Sequence, residues 1–342
     1  MKKKAIIILI TVFTLALLFY FLMNRANTPH KYSGDSPSIY VLSTVSKVAC
    51  LSNEYDTLTT IDLLGASDLT CGYNGKVYAT IAGNSRKGGQ EIDVLQNGRL
   101  KKRINLSYSL PWISRYNPYD KKLYVGHKCK ITYQNENCIT VIDTVIDEEE
   151  NNIMYNYGVE DIAFTQDNKM IVSAWEVTEY DRRLDVFDLE TNKIIKTIAM
   201  NDLKISSMVA GSDGLIYGIT QLKNAPILYV INWQKELVET IDLPYSHPYR
   251  VYVYSDENKE YIYVTHLDDD NLREGHTISV VDPSFKKVVD VIDTVDRPGS
   301  IVFHNNCLLV GDFLNNKVTI LKGDSFIKSI DLERPIDMVV VP

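Results

Sequence analysis

The residues best equipped for chemistry in this 342-residue chain are grouped by type rather than by any enzyme signature. Positions 247–276 hold His247, His266, Asp268, Asp269, Asp270, Glu274 and His276, imidazoles and carboxylates of the kinds that suit a divalent cation. Their order does not suit one. The stretch DDDNLREGH lacks the Asp-x-Asp-x-Asp-Gly pattern of a calcium loop, and no histidine pair has the spacing of a zinc motif. A charge run of this kind ordinarily stays in water, so no cofactor is expected, and a cation held by His247, His266, Asp268, Asp270 and His276 is the weaker alternative. Three scattered charges, Glu160, Arg250 and Asp337, and three hydroxyls, Ser67, Ser206 and Ser300, could bind an anion or polar ligand if the fold gathered them. Trp112 and Trp175, with Tyr133 and Tyr180 in nearby loops, offer flat apolar area beside a polar tip, which is what holds a saccharide, a peptide or a protein partner. The same indoles could equally be packed between structural elements.

Five cysteines include no Cys-x-x-Cys, which leaves zinc-ribbon and thioredoxin-like chemistry without support. Cys129 and Cys138 flank one loop and could staple it, contributing roughly 2.5 kcal/mol on the chain-entropy view. Cys50, Cys71 and Cys307 then leave at least one thiol, whose ordinary place is a core. Gly-x-Ser-x-Gly, Walker, dinucleotide and His-Glu-x-x-His signatures are all absent.

The elements that must position these groups are legible in residues 250–294, RVYVYSDENKEYIYVTHLDDDNLREGHTISVVDPSFKKVVDVIDT. Four β-rich runs, A (250–254), B (261–265), C (277–281) and D (288–293), alternate with turn residues, which predicts a four-stranded meander. Both faces of it are apolar, so one copy cannot bury itself. The C run and its turn recur as ITVID, LDVFDLETNK, LYVINWQKE and ISVVDPSFKK, ending at Asp143, Asp188, Asn232 and Asp282. D runs recur as TTIDL, KTIAM, ETIDL and KSIDL. A period near 44 residues with four strands each predicts propeller blades.

With YIYVTH at 261–266 and ISVVDPSFKKVV behind it, the unit resembles the YVTN-type, WD-like β-propeller repeat family. LYVG, VYAT and IYGIT are weaker echoes of the same phrase. The resemblance spans nearly all of residues 39–342 and implies a propeller with, as a rule, no single activity. Some propellers of this kind are lactonases or other hydrolases that use channel-mouth acids, histidine or calcium. A lactonase-like hydrolase, with a divalent cation as one option, is therefore the enzymatic alternative.

The expected fold is all-β: a seven-bladed propeller of four-stranded antiparallel blades, ring closed by the C-terminal strand, preceded by one transmembrane helix. Residues 39–63 supply only B, C and D of the first blade, and 335–341 (PIDMVVV) supply its missing A strand. The other blades run 64–106, 107–156, 157–200, 201–243, 244–294 and 295–332. In such a meander A is innermost, and the loops into A share a face with the B-to-C loops. Aligning the residues that lead into A places Ser67, Ile113, Glu160, Ser206, Arg250, Ser300 and Asp337 around the channel mouth. Those groups would bind a ligand and shift one another's pKa values, or simply be solvated in a polar channel. His127, His247, His266 and His276 fall on that face too, and His304 on the other.

Before the propeller, Lys2, Lys3 and Lys4 (within residues 1–4) precede nineteen uncharged residues, 5–23, which as a helix would span about 28 Å of a roughly 30 Å hydrocarbon core. The lysines predict a cytoplasmic N-terminus, a single-pass signal anchor in the cell membrane and an extracytoplasmic propeller on a 24–38 stalk. A cleaved signal peptide is the rival, though neither a small-x-small site nor a lipidation cysteine precedes the propeller. Residues 36–342 carry 31 basic against 43 acidic residues, which argues against nucleic acid as a partner. The leading functional expectation is a membrane-anchored module that binds a protein, peptide or saccharide on the loop face.

Overall fold

A strand sandwiched between two neighbouring sheets must be apolar on both faces, with alternate residues feeding opposite interfaces. The computed structural model describes residues 36–84, 87–128, 138–175, 182–200, 203–221, 226–255, 259–267, 277–293, 295–323 and 325–342, and follows that rule. Ile39–Ser43 is buried throughout: Ile39 and Val41 pack against the blade on one side, Tyr40 and Leu42 against the blade on the other. Seven apolar clusters arise in this way, one at each junction between blades. The outer strands face water on one side and read accordingly, as in Arg99–Asn105, where only Ile104 is buried.

All seven sheets are four-stranded and antiparallel. Blade 1 orders Pro335–Val340, Ile39–Ser43, Lys47–Leu51 and Thr57–Asp62 from inside to outside. The inner strands of blades 2 to 7 are Ala66–Cys71, Pro111–Asn117, Gly158–Phe164, Ser207–Ala210, Pro248–Ser255 and Pro298–His304. Each touches the next, and Pro298–His304 touches Pro335–Val340, so the ring is closed. Closure is by the C-terminal strand, with Ile39 opposite Val340 and Leu42 opposite Asp337. Blade 6 matches its expected runs to within two residues at each end, as Pro248–Ser255, Glu260–His266, Thr277–Asp282 and Lys287–Asp293.

The recurring Asp or Asn at the end of strand C closes the C-to-D turn. Asp143 Oδ1 accepts Val145 N–H at 2.7 Å, Asp188 Oδ1 accepts Thr191 N–H at 3.0 Å, and Asp282 Oδ1 accepts Ser284 N–H at 2.9 Å. Asn232 Oδ1 does the same for Lys235 N–H at 3.0 Å. Four residues on, Asp147, Asn192, Glu236 and Lys286 take positive φ (49 to 58°), the left-handed turn residue that such a hairpin requires. Blade 2 departs from the pattern with a longer hairpin, Val77–Asn84 and Lys87–Gln96. It crosses itself so closely at Gly89 that a Cβ there would lie 1.7 Å from the Ile81 carbonyl oxygen.

The only helix among the described residues is the 3-10 turn Tyr73–Gly75, and none there is long and apolar enough to cross a membrane. The expected 5–23 span lies outside the described residues.

Candidate functional site

Strand A begins with a β-bulge in six blades. Register jumps between Ala66 and Asp68, Pro111 and Ile113, Val159 and Asp161, Pro248 and Arg250, and Pro298 and Ser300. The sixth skips Ile336, between Pro335 and Asp337. The bulged residues, Ser67, Trp112, Glu160, Tyr249, Gly299 and Ile336, therefore leave the ladder at the channel mouth. The ring beneath them is Asp68, Ile113, Asp161, Ser207, Arg250, Ser300 and Asp337. In blades 2, 4 and 5 this lies one residue beyond the expected Ser67, Glu160 and Ser206. Those blades lack the proline that starts strand A in blades 3, 6, 7 and 1, so the glycines at 65 and 158 align one position too early.

The ring works as a stitch between blades. Asp337 Oδ2 accepts Leu69 N–H at 2.8 Å, and Asp68 Oδ2 accepts Ser114 N–H at 2.9 Å. Asp161 Oδ2 accepts Met208 N–H at 2.8 Å, and Ser207 Oγ accepts Val251 N–H at 3.2 Å. In each case the ring residue of one blade takes the next blade's N–H just after its ring position. Two guanidiniums complete the network. Arg115 reaches Asp68 Oδ1 at 3.2 Å and Asp161 Oδ1 at 2.9 Å, and Arg250 reaches Asp337 Oδ1 at 2.9 Å. The three carboxylates are buried, while the Arg115 and Arg250 side chains are 30% and 23% exposed. Burial pushes the Asp337 carboxyl up to about 6, with Arg250 opposing and Asp68 adding to the rise. Burial also raises Asp161 against the pull of Arg115. Asp337 and Arg250 are thus brought together as expected, in an ion pair whose carboxylate oxygens are already engaged. Ser300 Oγ is buried without a partner.

The bulged residues carry a different chemistry. Ser67 Oγ donates to the Trp112 carbonyl at 3.1 Å, and Ser206 Oγ to the Ile219 carbonyl at 3.3 Å. Glu160 pairs with Lys204 at 2.7 Å, and Lys204 lies 5.1 Å from the Trp175 ring centroid. Lys128 sits over the Trp112 ring at 3.1 Å from its centroid. Burial holds the Lys128 ammonium below the ordinary lysine value, Glu160 opposing and Lys204 adding to the depression. Trp112 is 37% exposed, and Trp175 buries its Nε1 without a partner among the described residues. Both indoles, two ammoniums and one carboxylate therefore meet on one face at blades 3 to 5. Lys128 and Lys204 carry no sequence signal apart from their position beside strand ends.

His127 and His266 are held in structural hydrogen bonds. His127 Nδ1 lies 2.9 Å from the Ser109 carbonyl and Nε2 lies 3.0 Å from Thr140 Oγ1. His266 repeats this with the Ser246 carbonyl at 3.0 Å and Ser279 Oγ at 2.9 Å. Both nitrogens of His266 are thereby occupied, and His247 Nδ1 is buried without a partner among the described residues. Asp268, Asp269, Asp270, Glu274 and His276 lie outside the described residues, as do Tyr133, Tyr180 and Cys129. Among the described residues no three His, Cys, Asp or Glu side chains are placed to hold a metal. Cys50, Cys71, Cys138 and Cys307 are free thiols, and burial pushes Cys50 and Cys138 up to about 12 and Cys71 to about 11, which makes those three poor nucleophiles.

Known proteins share the architecture. No family profile and no curated protein matches the chain. Among solved structures, hydrazine synthase of Kuenenia stuttgartiensis aligns with a TM-score of 0.66 at 14% identity, over 86% of this chain and 96% of that one. A Bacteroides fragilis protein provisionally named a 6-phosphogluconolactonase aligns at 0.66 and 11% identity, over 91% and 99%. AztD of Citrobacter koseri aligns at 0.57 and 13% identity, over 90% and 98%. At these identities the likeness is one of fold.

Proposed function

We propose that the chain is a membrane-anchored extracytoplasmic propeller that binds a protein, peptide or saccharide partner on the face bearing the bulged residues. The observation that carries this reading is the division of labour at the channel mouth. The axial carboxylates Asp68, Asp161 and Asp337 are consumed by backbone N–H groups and guanidiniums, whereas Trp112, Lys128, Glu160, Lys204 and Trp175 lie above them in a group that blade pairing does not need. Aromatics beside long cations are the usual anchors of a recognition surface. Co-purification from detergent-solubilised cells tests it, comparing the wild type with a Trp112→Ala/Trp175→Ala double variant. The expected result is loss of the bound species with Tm lowered by only about 2 °C, the shift that about 1 kcal/mol produces in a domain of this size. An unchanged set of bound species would overturn the assignment of this face.

A hydrolase remains the second reading, because Glu160 is the channel-mouth carboxylate bound by a side-chain cation rather than by the backbone. It requires Glu160→Gln to abolish turnover of a lactone with Tm preserved.

A further inference from the structure

Strand A is entered through a left-handed turn residue in four blades, and in three consecutive blades that residue is basic. Leu110, His247, Arg297 and Arg334 precede Pro111, Pro248, Pro298 and Pro335 with φ of 59, 50, 53 and 43°. A non-glycine residue held at positive φ ahead of proline is strained. One backbone hydrogen bond recurs at all four: Lys128 N–H to the Leu110 carbonyl, Leu267 N–H to His247, Phe313 N–H to Arg297 and Thr44 N–H to Arg334, at 3.0 to 3.3 Å. The turns are thus rigid mounts for the side chains they carry.

The blade 7 mount, Arg297, lines a pocket of about 150 Å³ together with Tyr249, Leu267, Gly299, Phe313 and Ile336. An apolar cavity of about that volume is known to accept a benzene ring. Three of the lining residues are the bulged positions of consecutive blades, Tyr249, Gly299 and Ile336. Blade 7 alone places a glycine there, where blades 3, 4 and 6 place Trp112, Glu160 and Tyr249. A Cβ at Gly299 would meet nothing nearer than the Pro335 carbonyl oxygen at 3.5 Å, so neither backbone conformation nor crowding demands glycine. What its absence of a side chain leaves is room.

The walls are aromatic and cationic. Arg297 lines the pocket with its Nε buried and without a partner, and no carboxylate pairs with it among the described residues. Arg334 lies 5.7 Å from the centroid of the Phe313 ring and Arg250 lies 5.9 Å from that of Tyr249. Of the three guanidiniums, Arg250 is paired with Asp337, whereas Arg297 and Arg334 pair with no carboxylate among the described residues. A guanidinium whose Nε–H is buried without an acceptor, beside apolar walls of a ring's dimensions, calls for a planar anion with an apolar body.

We propose that this pocket binds a small carboxylate carried on a flat apolar body, with Arg297 taking the carboxylate and Phe313, Tyr249, Leu267 and Ile336 enclosing the body. The proposal deepens the binding-module reading and rests on it. Calorimetric titration of the full-length protein in detergent tests it with benzoate as the free acid, N-acetylphenylalanine as a chain-end carboxylate, and benzamide as the neutral isostere. Benzoate is expected to bind saturably and about tenfold or more tighter than benzamide, the margin of one charge-assisted pair. Arg297→Gln should remove that margin. Gly299→Leu should abolish binding of benzoate while Tm stays near that of the wild type. Tighter binding of N-acetylphenylalanine than of benzoate would assign the source as a chain end; the reverse order would assign a free acid. Equal binding of benzoate and benzamide, or benzoate binding unchanged in Arg297→Gln, would overturn the proposal. Absence of benzoate and N-acetylphenylalanine binding while Trp112→Ala/Trp175→Ala still loses its partner would sink this inference alone and leave the broader reading intact.

Discussion

His127 and His266 hold their blades together as neutral imidazoles. A carbonyl oxygen can only accept, so Nδ1 carries the proton toward Ser109 and Ser246, which leaves Nε2 unprotonated beside a hydroxyl. Burial holds both rings at about 4, well below the ordinary imidazole value, against the pull of those carbonyls. A folded-state value below the unfolded one gives stability that is present above about pH 6.5 and is lost as pH falls toward 4, by about 3 kcal/mol for each ring. Asp337 has the opposite sign. Its raised value means that folding gains as pH falls from 6 toward 4, which offsets about one of the two losses. Urea unfolding at pH 7.5, 6.0 and 4.5 should therefore show the wild type losing stability, with a flatter profile in His127→Gln/His266→Gln. Equal slopes in the two proteins would remove the histidines from the account. The structural role of these rings was legible in the chain, since Tyr-Ser-Leu-Pro at 108–111 and Tyr-Ser-His-Pro at 245–248 are repeated upstream of His127 and His266. In both places the tyrosine meets its histidine ring edge-on, at 6.3 and 5.9 Å. Reading the imidazoles by type left a cation at His266 as the weaker alternative, whereas reading them with their repeated neighbours points to the blade.

The strand is the scale at which the chain is most transparent, because period-2 apolarity and the Asx turn after strand C are written residue by residue. The bulge at the start of strand A is not so written. Nothing in GASD or GVED says that Ser67 or Glu160 leaves the ladder, because a bulge is a matter of pairing between strands and not of local composition. One residue of slip exchanges each ring carboxylate for the bulged residue before it, which is how Asp68 and Asp161 stayed hidden behind Ser67 and Glu160. Arg115, which bridges both, was missed for the same reason. The C-terminal strand was legible by subtraction, since blade 1 had no inner strand of its own. Truncation after Leu332 removes Pro335–Val340, exposes the inner edge of blade 1, and strips Leu69 N–H and Arg250 of their shared carboxylate. Breaking such a pair costs about 3–5 kcal/mol before any packing is counted. In a domain of this size that corresponds to a fall in Tm of about 5–10 °C. Calorimetric scans of the truncated and intact proteins decide it, and a truncated protein as stable as the intact one would refute closure through this strand.

At the scale of the whole molecule, charge and hydropathy are divided along the chain. All the strongly apolar, lysine-led sequence lies in residues 1–23, and the acidic excess of 43 to 31 lies in 36–342. The net charge of an acidic propeller is repelled by anionic headgroups. Attachment would rest on the 5–23 run, with the Pro- and Gly-containing 24–38 segment setting the distance. The proposed anchor accordingly predicts that full-length protein sediments with membranes and resists extraction by high salt and alkaline carbonate, because burial of nineteen uncharged, mostly apolar residues is insensitive to both. Protease added from outside should release a propeller fragment beginning within the 24–38 segment, since the closed ring presents no frayed edge to cut first. Replacing Leu15, Leu17 and Leu18 with Asp should move the protein to the soluble fraction or halt its export, at about 2.5–3.5 kcal/mol per charge in a membrane-spanning segment. Recovery of the wild type as a shortened soluble species in the medium would instead establish that the run is cleaved, and the binding face would then belong to a diffusing propeller.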